Sequence, residues 1–196
     1  MAVIFSYSVK EYAHLLGMPG FSDVLLNNHF KLYQGYVKNT NLLIEKINTL
    51  SSEAKDKTPE YAELKRRFGW EFNGMRLHEY YFENLGGKSQ LDPKGPLYKK
   101  IIEDFDSFEL WKQDFVSTGI MRGIGWVILY QEPQSKRLLN VWINEHDVGH
   151  LSGAYPLLVM DVFEHAYFID YQLERAKYID NFFANINWQE VEKRFK

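Results

Sequence analysis

The sequence predicts an α+β fold: a long antiparallel helical hairpin, followed by an α/β domain with a three-stranded antiparallel sheet. Three observations carry that prediction. Apolar residues recur at helical spacing through two long stretches of the first half. The segment KSQLDPKGP, residues 88–96, reads as a linker. Beyond it the pattern changes to strand, turn, strand and a later strand, as an antiparallel sheet requires. The division is expected at residues 1–90 for the hairpin and 91–196 for the second domain.

After the loop GMPGFSD, Ser22 is placed to cap a helix with apolar positions Leu26, Phe30, Tyr33, Val37, Ile44 and Ile47. Asp23 in its first turn suits the helix dipole. The run is expected to end in the polar stretch 48–57. A second helix starts at Thr58-Pro59, with Pro at its first position, and runs to Leu85, where Gly86-Gly87 end it. Gly69 and Gly74 lie inside it, which predicts a kink or a close approach by another group. Helices follow at 97–105 and 108–118. Strands are expected in GIGWVILYQ (123–131), RLLNVWIN (137–144) and 156–160. One long helix over 165–183 and a last turn at 188–195 complete the chain.

Composition narrows the chemistry. The 196 residues carry a net charge of −3 and no cysteine. That excludes disulfides, a thiolate nucleophile, zinc–thiolate sites and iron–sulfur clusters. No basic stripe suggests nucleic acid. No apolar run reaches membrane-spanning length, and the opening MAVIFSYSVKEYAHLL has no basic stretch before an apolar core. Neither nucleic acid nor membrane is therefore an expected partner, and the cytoplasm is the expected compartment. Any metal site must come from His14, His29, His78, His146, His150, His165 and carboxylates.

Asp161 and His165 are four apart, so one helical turn would bring them to a common ion. Taken alone, such a pair is more often a helix cap and a packed histidine. The surrounding residues change that. DVFEHAYF, residues 161–168, resembles the C-terminal motif of the iron/manganese superoxide dismutases: Asp, any residue, Trp or Phe, Glu, His, a small residue, two aromatics. Upstream, SGAYPLLVMD and GIGWVILY resemble that family's final strand and its Gly-x-Gly-Trp strand. Downstream, ERAKYIDNFFANINWQEVEKRF resembles its ending.

The resemblance implies one Fe or Mn ion bound by three His and one Asp, with superoxide dismutated to O2 and H2O2 as the ion cycles between +3 and +2. Asp161 and His165 match two ligands. His78, in GMRLHEYYF, matches a third, although the usual preceding Asn is Leu77 here. The fourth departs from the pattern. The family His stands eight residues before a Tyr-Val, here Tyr36-Val37, and that position is Asn28; the histidine is His29. A one-residue slip rotates a side chain by roughly 100° on an ideal helix. Either a local bulge returns His29 to the ion, or Asn28 takes its place or leaves the site a ligand short.

The resemblance also makes Tyr36 the residue lining the substrate channel and His146 the contact to bound solvent, both carrying protons. Gly74 stands where iron-specific members have a Gln, and His146 accompanies acceptance of either metal. Trp126 and Phe163, with Trp142 and Tyr167, are expected to wall the site. Glu164 implies a homodimer or tetramer bridged from Glu164 to the partner's ligand His, at the position of His165. Two positions that usually hydrogen-bond across that interface are Leu32 and Phe168 here, so the proton relay is altered. His14 reads as a surface or packing residue. His150, four after His146, reads as a loop residue rather than half of a zinc pair. The rival to a working dismutase is a catalytically altered or inactive metal-binding homologue of the same fold.

Overall fold

The computed structural model describes residues 6–88 and 90–196. Residues 1–5 of the opening stretch MAVIFSYSVKEYAHLL, and Ser89 in the linker, lie outside them. Helix α1 spans Asp23–Ser52 and α2 spans Pro59–Glu83. At ~1.5 Å per residue they are rods of about 45 and 37 Å. Both start where the sequence places them. The Ser22 hydroxyl accepts from the Leu25 N–H, and the Thr58 hydroxyl from the Tyr61 N–H, each satisfying an amide that the first turn leaves without a partner. Helix α1 runs past residue 48 into the polar stretch, so the connecting loop is shorter than expected. Helix α2 stops two residues before Leu85, at the C-cap Asn84.

The hairpin packs its facing apolar stripes, with Leu26, Tyr33 and Val37 of α1 and Met75 and Phe82 of α2 at most 2% exposed. Gly74 shows why a glycine sits inside α2. A Cβ there would lie 2.6 Å from the Tyr36 ring, so the two helices can close at this level only without a side chain. Neither kink nor close neighbour is found at Gly69.

Helices α3 (Pro96–Phe105) and α4 (Phe108–Ile120) lead into strands β1 (Gly125–Gln131), β2 (Leu138–Asn144) and β3 (Tyr155–Asp161). The sheet is antiparallel in the order β2-β1-β3. Central β1 is buried at every position, which its unbroken apolar run requires. Gly125 opens it at φ 145°, where a Cβ would strike the Ile143 carbonyl oxygen. The register sets Trp126 opposite Asp161.

The expected long helix over 165–183 is not formed. The segment folds instead as a 3-10 turn (Glu164–Ala166), a one-turn helix α5 (Phe168–Tyr171) and α6 (Arg175–Ala184). Gln172 at φ 48° breaks the chain direction. Tertiary hydrogen bonds favour the break over the helical pattern. Asp170 accepts from both the Ser22 N–H and its hydroxyl, and the Tyr171 hydroxyl donates to the Gly20 carbonyl. Arg175 donates to the carbonyls of Gly119, Met121, Gly123 and Val162.

The last helix, α7 (Trp188–Arg194), locks the two halves together. Arg194 donates to the Asn84 Oδ1 at 2.6 Å, the Leu157 carbonyl at 3.0 Å and Glu83 at 2.9 Å. Asn84 in turn donates to the Val159 carbonyl at 2.6 Å. The end of α2 and the middle of β3 are thus held at one distance. Removing the guanidinium leaves buried acceptors unpaired, so Arg194→Ala is expected to cost about 2–3 kcal/mol in urea unfolding; a loss below about 1 kcal/mol would contradict this role.

Candidate metal centre

The centre is assembled from four separate places in the chain. His29 comes from α1, His78 from α2, Asp161 from the last position of β3, and His165 from the 3-10 turn that follows. Each offers one donor atom, and the four atoms lie within 4.8 Å of one another. All three Nε2 atoms face the same carboxylate oxygen. Asp161 Oδ2 is 3.2 Å from His29, 3.7 Å from His78 and 3.1 Å from His165. Asp161 and His78 are fully buried, His29 is 1% exposed, and the His165 side chain is 28% exposed.

The register on α1 resolves without a bulge. The helix is α-helical throughout, with His29 and Tyr36 both buried and Asn28 exposed. Seven residues turn a regular helix through about 700°, within ~20° of two full turns, so His29 and Tyr36 share a face. An eight-residue spacing is the one that would need a bulge. The expectation that His29 requires a bent helix is therefore corrected: the straight helix delivers it, and Asn28 points to solvent.

The donor set fits a bound cation. Nε2 of His29 and of His78 are buried with no hydrogen-bond partner in the protein, a costly state for polar atoms unless something else satisfies them. The His78 Nδ1–H donates to the Gly74 carbonyl at 2.6 Å, so its Nε2 lone pair faces the centre, as outer hydrogen bonds to metal-binding histidines arrange. Asp161 uses its other oxygen to accept the Phe163 N–H at 2.8 Å. Burial raises the Asp161 pKa, but the imidazoles of His165 and His29 outweigh it and hold the carboxyl well below the usual range. Burial lowers the pKa of His29, and lowers that of His78 further with His29 beside it. The centre is thus ionised at Asp161 and neutral at both buried imidazoles, which is the protonation state that metal binding needs.

Around it lies an aromatic shell. The His146 Nε2 is 2.8 Å from the Tyr36 hydroxyl, and the Trp126 indole N–H donates to His146 Nδ1 at 3.0 Å. Phe163 stacks on His146 with ring centroids 4.8 Å apart and on His165 at 5.1 Å. Trp142 and Tyr167 lie elsewhere: Trp142 packs over Gly123, and Tyr167 stacks on Tyr178. Glu164 is exposed beside the site, Leu32 half-buried and Phe168 exposed. His14 is on the surface. His150 bonds the Tyr130 hydroxyl through Nδ1 and the His146 carbonyl through Nε2, leaving neither nitrogen for a zinc pair.

One wall residue is absent from the sequence reading. Trp70 of α2 meets the His146 ring at 4.5 Å and Tyr36 at 5.6 Å. Arg67 lies over the Trp70 ring at 3.8 Å, and the Trp70 indole N–H donates to Glu145 at 3.0 Å. The signal was available, because Trp70, Gly74 and His78 recur every four residues along one face of α2.

Three imidazoles and one carboxylate converging on a point define a single-ion metalloprotein centre. The chain belongs to the iron/manganese superoxide dismutase family. The model for the family's C-terminal domain matches residues 93–194. The iron superoxide dismutase of Aquifex aeolicus is 35% identical over 192 residues, 95% of this chain and 90% of the relative. That of Aquifex pyrophilus is 37% identical over 194 residues, with the same coverage. A manganese superoxide dismutase of Haloferax volcanii is 32% identical over 179 residues, 91% of this chain and 88% of the relative. No helix among the described residues is long and apolar enough to cross a membrane.

Burial lowers the pKa of His146 from 6.5 to about 4. A lowered folded value means that the unfolded chain takes up the proton first, so this contribution is complete above pH 6.5 and fades as pH falls toward 4. The thermal stability of the wild type relative to His146→Gln is expected to drop across that window, by up to about 3 kcal/mol. A pH-independent difference would contradict it.

Proposed function

We propose that this chain is a superoxide dismutase using one Fe or Mn ion held by His29, His78, Asp161 and His165. The observation that carries the reading is the convergence of three imidazole nitrogens and a fully buried carboxylate beside the Tyr36–His146 pair. When bound, the ion supplies one-electron chemistry, oxidising one superoxide to O2 and reducing a second to H2O2 with two protons.

The chain's own residues do the rest. Three neutral imidazoles and one carboxylate bring a net charge of −1 to the ion, which leaves the loaded centre able to attract a small anion. Trp126, Phe163 and Trp70 keep water from the inner side, and approach is open at His165, the one partly exposed member of the cluster. Tyr36 holds a hydroxyl at the edge of the centre, with burial raising its pKa so that it stays protonated. It is placed to hand on one of the two protons that each turnover consumes. The protein's net charge of −3 offers no global attraction for an anion, so guidance is local.

The same reading includes a homodimer over the face that carries Glu164. Ile124, Leu173 and Glu164 line one hollow. Ile124 is 40% exposed, Leu173 89% and the nearby Phe168 47%. An apolar patch of this kind is what a partner surface covers.

Metal analysis and a superoxide assay on one purified sample test the proposal. About one Fe or Mn per chain with dismutation is expected. His29→Ala is expected to lose metal affinity at least about tenfold, while Asn28→Ala keeps metal and activity. Stoichiometric Fe or Mn without dismutation would sink the dismutase reading, and full metal in His29→Ala would sink the ligand assignment.

A further inference from the structure

The segment after β2 buries a single residue among exposed neighbours. Asn144, Glu145, Asp147, Val148 and Gly149 are exposed, while His146 between them has no exposed surface. The loop is closed at its base. There the Asn144 N–H donates to the Val148 carbonyl at 2.8 Å, and the Val148 N–H to the Asn144 carbonyl at 3.3 Å. A loop this short and this exposed has little apolar surface with which to hold itself against the hairpin.

Glu145 has an unusual backbone that points to a tether. Its φ is 51°, in the left-handed region that favours Gly and Asn over a long side chain. Its carboxylate has a partner in the other half of the fold. The indole N–H of Trp70, which can only donate, reaches Glu145 Oε2 at 3.0 Å. Apart from the bond between the His146 ring and Tyr36, this is the one hydrogen bond from residues 144–149 to the hairpin among the described residues.

Trp70 is in turn fixed from outside. The Arg67 guanidinium lies over its ring at 3.8 Å, a cation–π contact. Arg67 is held by one oxygen of Glu71, through Nε at 2.8 Å and Nη2 at 2.7 Å. The other oxygen of this buried carboxylate accepts from Asn39 of α1 at 3.3 Å. The two long helices thus present the indole N–H at one place.

We propose that Trp70 and Glu145 are positioning residues: their hydrogen bond clasps the loop after β2 to the hairpin and so seats His146 beside the metal centre. Arg67 is the plate behind Trp70. The left-handed backbone at Glu145 turns its carboxylate back toward α2. An Asn at that place would suit the backbone and fall short of the indole. The clasp joins the two halves of the fold outside the centre, and neither of its residues is a candidate ligand.

The clasp stands apart from the dismutase reading; only the use made of a seated His146 rests on it. Hydrogen–deuterium exchange by mass spectrometry, on the full-length protein as purified, reads the loop in peptides spanning residues 143–149. Trp70→Phe keeps a ring without the N–H and is expected to speed exchange there about tenfold, since a hydrogen bond to a charged group is lost. Glu145→Asn is expected to do the same, although it suits the left-handed backbone. Glu145→Gln keeps an acceptor oxygen at the same reach and is expected to stay within about twofold of the wild type. The double variant Trp70→Phe with Glu145→Asn is expected to exchange no faster than the faster single one, because both remove one bond. Metal content is expected to be unchanged, with dismutation per ion down about tenfold in Trp70→Phe and Glu145→Asn and rescued in Glu145→Gln.

Unchanged or slower exchange in Glu145→Asn would overturn the clasp, and so would effects that multiply in the double variant. Faster exchange with undiminished dismutation per ion would overturn the positioning role. If Trp70→Phe does not fold, Glu145→Asn against Glu145→Gln decides by itself. A wild type without dismutation would strike the dismutase reading, and the exchange pattern would still decide the clasp.

Discussion

Asp161 is an ionised carboxylate with no exposed surface, placed at the end of a strand in the middle of the molecule. Burying such a charge without compensation costs several kcal/mol. Three imidazoles from three different elements crowd one of its oxygens, and a backbone N–H satisfies the other. Much of the architecture serves to keep those groups together. The hairpin brings His29 and His78 to one level, central β1 fixes the height of Asp161 through its pairing with Trp126, and the 3-10 turn swings His165 back over the carboxylate. The ionised carboxylate leaves a negative charge at the centre of the fold. A bound cation resolves both that charge and the two nitrogens that have no protein partner.

Packing sets the accuracy of this arrangement. The missing side chain at Gly74 lets the Tyr36 ring lie against α2 and stack on His78 at 5.0 Å. The Gly74 carbonyl, one turn before His78, then orients that histidine. One residue thus makes room for the proton-carrying tyrosine and aims a candidate metal ligand. Farther out, Tyr178 donates its hydroxyl to the Asp161 carbonyl at 2.6 Å, and the Asn84–Arg194 pair ties the end of α2 to β3. These contacts belong to the core, yet they determine the distances at the centre.

Most of the fold was legible in the sequence because its signals are local. Ser22 and Thr58 announce the two long helices, and the apolar run after Gly125 announces the central strand. The motif DVFEHAYF carries half the donor set within one short segment. Three features were not legible in the same way. The break at Gln172 follows from hydrogen bonds made by Asp170, Tyr171 and Arg175 to distant parts of the chain, against a helical pattern. Trp70 lies on the same face as His78 but reads as one more aromatic until His146 is seen against it. For His29, measuring the slip against a family spacing suggested a bulge. Counting turns between His29 and Tyr36 within this chain places both on one face of a straight helix.

The most direct test is a crystal structure of the protein as purified, with anomalous diffraction recorded at the iron and manganese absorption edges. The account predicts one peak, at bonding distance from Nε2 of His29, His78 and His165 and from Asp161 Oδ2, with α1 unbroken and Asn28 in solvent. A peak elsewhere, or one coordinated by Asn28 with His29 turned away, would contradict it.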